Sequence, residues 1–155
     1  MRKLLLLILL ISCSNPMNDI NTDFFKRFPE YREYAELRME QERDALHNPH
    51  YSPLHNVSVL MGKFRYLPEL VDYELDILII FARDLQGDCD TAAILGEWAL
   101  EEIGIPARRM NMKIPGGDHQ ICISNDNKVF ITLNDVVEIK GHWGKFLYNY
   151  FKKGE

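Results

Sequence analysis

Gly87-Asp88-Cys89-Asp90-Thr91-Ala92-Ala93-Ile94-Leu95, continuing past Leu100 to Ile103-Gly104-Ile105-Pro106-Ala107-Arg108, is the stretch that decides the fold. Gly87-Asp88 breaks the chain, and Ala92, Leu95, Ala99 and Ile103 then recur at helical spacing, flanked by Trp98 and Leu100. Gly104 and Pro106 close the segment as a helix C-terminus is usually closed. Downstream, Arg108 to Ile114 alternates as a strand does, and Pro115-Gly116-Gly117 is a turn. His119 to Ser124 and Val129 to Leu133 read as two strands around Asn125-Asp126-Asn127-Lys128. Trp143, Phe146, Leu147, Tyr150 and Phe151 then fall on one stripe of a last helix, a pattern of core packing.

Upstream the chain is helical. Asp23 is a candidate cap for a first helix carrying Phe24, Phe25 and Phe28. A second helix is expected from about Pro29 to Leu46, with Pro29 at the first helical position and a half-solvated Arg/Glu face. Asn48-Pro49 and Ser52-Pro53 break the chain, so His47, His50 and His55 read as loop histidines in no metal-ligand spacing. A third helix is expected from about Glu69 to Leu85, although its run Ile77 to Phe81 also suits a buried strand. Helices first and a mainly antiparallel sheet afterwards make an α+β layout.

Composition narrows the function. The chain has 155 residues, 46% of them apolar, and a net charge of −5. That length suits one domain with a real core. The acidic balance argues against a nucleic-acid partner. The N-terminal apolar run, Leu4 to Ile11, is eight residues long, whereas a spanning helix needs roughly 20. Arg2 and Lys3 before that run, and Ser12-Cys13 after it, make a secretory signal over residues 1–12. Leu10-Ile11-Ser12-Cys13 resembles a bacterial lipobox, which implies cleavage before Cys13 and lipidation of its sulfur. Losing Arg2 and Lys3 would take the net charge from −5 to −7. The lipid, rather than surface charge, would then hold the protein on a membrane. Residues 13–22 would be a polar tether and 23–155 the domain.

Cys89 is the candidate nucleophile. A thiol in the first turn of a helix meets unsatisfied amides that favour the thiolate, while Asp88 and Asp90 oppose it. The same amides are candidate donors to an oxyanion. A cysteine nucleophile needs a base and a group to orient that base. His119 is the candidate base, and Asp135 or Asn134 the orienter, depending on hairpin register. A two-residue turn at Asp126-Asn127 pairs His119 with Asn134, and a three-residue turn through Lys128 pairs it with Asp135. The second register puts His119, Ile121, Ile123, Ile131, Leu133 and Asp135 on one cleanly apolar face, which favours Asp135. Gln86 is a candidate oxyanion donor.

The quoted stretch, from Gly87-Asp88-Cys89-Asp90 through Ile103-Gly104-Ile105-Pro106-Ala107-Arg108, resembles the core of bacterial transglutaminase-like cysteine proteins. The resemblance covers roughly residues 80–137. It implies a papain-like α+β fold, with a cysteine-bearing helix packed on an antiparallel sheet, and Cys89, His119 and Asp135 as nucleophile, base and orienter. Ile121, Phe130, Thr91 and Ala92 depart from the family pattern, which bears on substrate shape. The expected function is exported cysteine acyl transfer on a peptide or amide of the cell envelope, on its periplasmic or extracellular face, with no cofactor and no metal. The competing expectation is a non-catalytic envelope lipoprotein using the fold for binding. A Cys89–Cys122 disulfide is the default for two cysteines in an oxidising compartment. Strand parity opposes it: His119 and Cys122 lie on opposite faces, so Cys122 turns away if His119 meets Cys89. A zinc site from Cys89, His119, Cys122 and His142 meets the same objection.

Overall fold

The computed structural model describes residues 20–68, 75–114 and 117–152. Among them the chain forms α1 (Ile20–Arg27), α2 (Glu30–Leu46), α3 (Pro53–Met61), β1 (Arg65–Tyr66), α4 (Ile77–Ala82) and β2 (Gln86–Gly87). Then follow α5 (Cys89–Glu102), β3 (Ala107–Ile114), β4 (Gly117–Ser124), β5 (Val129–Thr132), β6 (Asp135–Glu138) and α6 (Trp143–Lys152). The fold is α+β. Strands β3 to β6 make an antiparallel meander in chain order, and β1 and β2 form a separate two-stranded parallel pair. The signal segment 1–12, Cys13 and most of the tether lie outside the described residues. No described helix is long and apolar enough to cross a membrane.

Sheet parity sorts the core into two clusters. One face of the meander presents Ala107, Cys122, Val129 and Ile131, which join Ala92, Leu95, Ala99 and Leu100 of α5 and the upstream helices. The opposite face presents Ile121, Ile123 and Phe130, which pack with Leu147, Phe146, Tyr150 and Phe151 of α6. Alternate residues of a strand point to opposite faces, so both layers follow from period two. Gly96 lets α5 lie close on β5: a Cβ there would stand 3.1 Å from Ile131 Cγ2.

Helix α5 is set at both ends. Asp88 caps it, its Oδ1 accepting from the N–H groups of Asp90 (3.1 Å) and Thr91 (3.2 Å). At the far end Ile105 N–H donates to Leu100 C=O and Gly104 N–H to Glu101 C=O, both 2.9 Å, with Gly104 at φ +79°. That is a Schellman closure, and it needs a residue that tolerates the left-handed region.

Four expectations are corrected. The His47–His55 segment is not all loop: Ser52 caps α3, accepting from His55 N–H at 3.2 Å, and Pro53 opens that helix. The helix expected over 69–85 is helical over Ile77–Ala82, opened by Asp76, whose Oδ1 accepts from Leu78 N–H. It ends where Asp84 and Leu85 take φ +54° and +57°; residues 69–74 lie outside the described residues. The tether is shorter than 13–22, because α1 begins at Ile20. Finally, the Arg/Glu face of α2 is not wholly wet. Glu42 is buried, paired to Lys63 at 2.6 Å and Arg38 at 3.6 Å.

Candidate functional site

Cys89 opens α5 directly after β2, and its environment is a contest between donors and carboxylates. The backbone of Gln120, on β4, hydrogen-bonds the sulfur and favours the thiolate. Burial acts more strongly the other way, and Asp90 and Asp88 add their negative charge, so the thiol is pushed up from its ordinary value. Asp90 Oδ1 also accepts a hydrogen bond from the thiol, with Sγ and Oδ1 3.6 Å apart. Burial is the largest of these effects, so the low-pKa thiol expected at a helix start is not what the resting site holds. The first-turn amides are also committed elsewhere. Asp88 holds those of Asp90 and Thr91, and Ala92 N–H donates to Asp88 C=O. An oxyanion cannot use them while the cap stands.

His119 lies on β4, one residue from the strand position that meets the thiol. Its ring belongs to the α6 face of the sheet, edge-on to Phe151 with centroids 5.6 Å apart. Nε2 lies 2.7 Å from Thr132 Oγ1. Burial lowers its pKa, and the nearby Asp90 charge partly offsets this. Both members of the candidate pair are thus driven toward their neutral forms at rest.

The hairpin register overturns the one favoured from the sequence. Cys122 pairs with Ile131 and Ile123 with Phe130, the register that sets His119 toward Asn134; the connection is a four-residue loop, 125–128, in which Asn127 N–H donates to Ser124 C=O at 2.9 Å. Nor does the ladder run on to residue 134. Strand β5 stops at Thr132, Leu133 turns at φ +48°, and Thr132 pairs with Asp135 at the start of β6. Asp135 accepts from Tyr150 O–H at 2.7 Å. Asn134 donates from Nδ2 to Met61 C=O (2.9 Å) and Phe64 C=O (2.6 Å), tying the α3–β1 turn to the sheet. The Nε2 partner is Thr132.

Gln86 is half-buried on β2, three residues before Cys89, opposite Arg65 of β1. Gly87 is required by packing: a Cβ there would sit 2.4 Å from Thr91 Cβ. Cys122 and Cys89 are both free thiols. Parity does separate His119 from Cys122, but the assignment is the reverse of that expected. Cys122 faces α5, where Glu97 and Glu101 add to the effect of burial and its thiol is pushed up to about 12. Among the described residues no three His, Cys, Asp or Glu side chains gather as a metal ion would require.

No family model, curated protein or solved structure matches the chain.

Proposed function

We propose that the chain is an exported lipoprotein, anchored through Cys13 to a membrane of the cell envelope, whose transglutaminase-like, papain-like domain performs cysteine acyl transfer. The observation that carries the proposal is the hydrogen bond between the Gln120 backbone and the Cys89 sulfur. It sets the thiol at the start of α5 against Gln120, the residue next to His119 on β4, which supports reading Cys89 and His119 as nucleophile and base.

In this proposal the resting site is a neutral thiol and a neutral imidazole. As substrate binds, the thiol proton passes to His119 while the sulfur attacks an amide or isopeptide carbonyl carbon. The oxyanion is met by the Cys89 N–H and the Gln86 side-chain amide, since the next amides serve the cap. The imidazolium gives its proton to the leaving nitrogen as the C–N bond breaks. Water, deprotonated by His119, then attacks the thioester, and the released sulfur takes up the proton as the C–S bond breaks. An amine in place of water gives transamidation.

A second reading, a non-catalytic binding lipoprotein, is favoured by one observation: burial, with the Asp90 and Asp88 charges behind it, pushes the Cys89 thiol up. p-Nitrophenyl acetate separates the two. Acyl transfer requires an acetyl adduct that intact-mass and peptide mass spectrometry place on Cys89, with turnover lost in Cys89→Ala and reduced in His119→Ala. An adduct elsewhere, or full turnover in His119→Ala, refutes it.

A further inference from the structure

The Thr132 hydroxyl sits where a cysteine site of this kind calls for a carboxylate or an amide. We infer that Thr132 is the positioning residue of the site: its Oγ1 accepts the Nε2 proton of His119 and leaves the Nδ1 lone pair as the base. The inference rests on the acyl-transfer reading and deepens it.

Three observations lead there. First, the hydrogen bond is short and Thr132 is only 7% exposed, so water competes with it little. A β-branched side chain is stiff about χ1, and Thr132 sits at the last paired position of β5, so its oxygen is fixed in direction. Second, the ring is held from another side by the edge-on Phe151. Two contacts from separate elements determine both its position and its rotation. Third, the two groups expected to orient the ring are turned to other tasks. Asp135 holds Tyr150 of α6, and Asn134 holds two backbone carbonyls near α3 and β1.

The choice of a hydroxyl has a chemical consequence. A carboxylate orienter would stabilise the imidazolium and favour a standing thiolate–imidazolium pair. A hydroxyl fixes the tautomer without adding charge, so His119 stays a neutral base until substrate arrives. Asp90, whose charge reaches both Cys89 and His119, is then the carboxylate that biases the site electrostatically. It acts on the sulfur in the opposite sense to a triad acid.

The test is nitrogen-15 NMR of histidine-labelled protein, read beside p-nitrophenyl acetate turnover, in wild type, Thr132→Ser and Thr132→Val. Each variant must first unfold at a near-native midpoint. The proposal expects His119 protonated on Nε2 in wild type and in Thr132→Ser. Thr132→Val should mix the tautomers and slow turnover by about 10- to 100-fold, part of the 10²–10⁴-fold that a positioned base supplies. Thr132→Ser should restore most of that loss. A wild type with the proton on Nδ1, or a Thr132→Val protein with unchanged tautomer and rate, overturns the role of Thr132. A wild type protonated on Nε2 but lacking Cys89-dependent turnover overturns the acyl-transfer reading instead, and Thr132 then loses its part in catalysis while its hydrogen bond stands.

Discussion

Replacing Gly87 by alanine should be among the most damaging single-methyl changes in the chain. The new Cβ would lie 2.4 Å from Thr91 Cβ and 2.5 Å from Thr91 Cγ2 and Oγ1. Carbon atoms in contact sit about 3.5–4.0 Å apart, so the shortfall is about 1 Å. No rotamer of Thr91 relieves it, because the nearest atom is Cβ, which is fixed to the α5 backbone. Strand β2 or the start of α5 must move. Both are held: Leu67 N–H donates to Gly87 C=O at 2.7 Å, and Asp88 carries the cap bonds of α5. Overpacking of this kind costs about 1–3 kcal/mol, and loss of the cap geometry about 1 kcal/mol more. A total of about 3 kcal/mol lowers the midpoint of a domain this size by roughly 6–12 °C.

Thermal unfolding followed by circular dichroism measures this directly, with Gly96→Ala as the control. There the Cβ would meet only the side chain of Ile131, at 3.1 Å, and the helix gains about 1 kcal/mol from exchanging glycine for alanine. Gly87→Ala should therefore fall well below Gly96→Ala. If Gly87→Ala melts with Gly96→Ala or above it, the packing of β2 on Thr91 described above is wrong. A Thr91→Gly change should partly rescue Gly87→Ala, since it removes the opposing Cβ; simple additivity in the double variant would contradict the clash.

Other outcomes follow from the ionisable groups. Iodoacetamide should modify Cys89 long before Cys122 in folded protein, because the Cys122 thiol is fully buried and pushed up to about 12; equal labelling by mass spectrometry would contradict this. Burial favours the neutral Cys122 thiol, so its contribution is intact below the unfolded thiol range and lost as pH rises from about 9 to about 12. Cys122→Ala should flatten that alkaline limb of the denaturation midpoint, and an unchanged slope would show that Cys122 does not govern it. Tyr150 is pushed up to about 12 by burial and by Asp135, so Asp135→Ala should bring its phenolate absorbance in at lower pH; an unmoved titration would deny the Asp135–Tyr150 contact. Cys13→Ala should release the protein from membranes in a detergent-partitioning assay, and a mature chain starting at another residue would refute the anchor.

The helix that carries Cys89 was legible because each of its determinants is local. Asp88 caps it, the apolar stripe buries it, and Gly104 closes it, all within twenty residues. The stripe of α6 was legible for the same reason, and Phe146, Leu147, Tyr150 and Phe151 do pack on the sheet. What escaped was set by partners far off in the chain. The β1–β2 pair joins residues 65–66 to 86–87, and two-residue strands have too few positions to show a period. Helix α4 stops at Ala82, short of the expected end at Leu85, because Asp84 and Leu85 take left-handed conformations that hydrophobicity does not announce. Glu42 stays buried beside Lys63, which lies just past the end of α3, and Arg38 of its own helix.

The hairpin register was misread for a more instructive reason. Choosing a register by the cleanest apolar face assumes that one face of the hairpin is core and the other is not. Here both faces are core, one against α5 and the other against α6, so the pattern has no preferred side and the turn decides. Asn127, at φ +57°, turns the four-residue loop 125–128, its N–H donating to Ser124 C=O. That loop puts Phe130 and Thr132 beside Ile121 and His119, and the Thr132 hydroxyl hydrogen-bonds the imidazole. A lone threonine at the end of a strand buried on both sides is better read as a polar group with a partner to satisfy than as a flaw in the pattern.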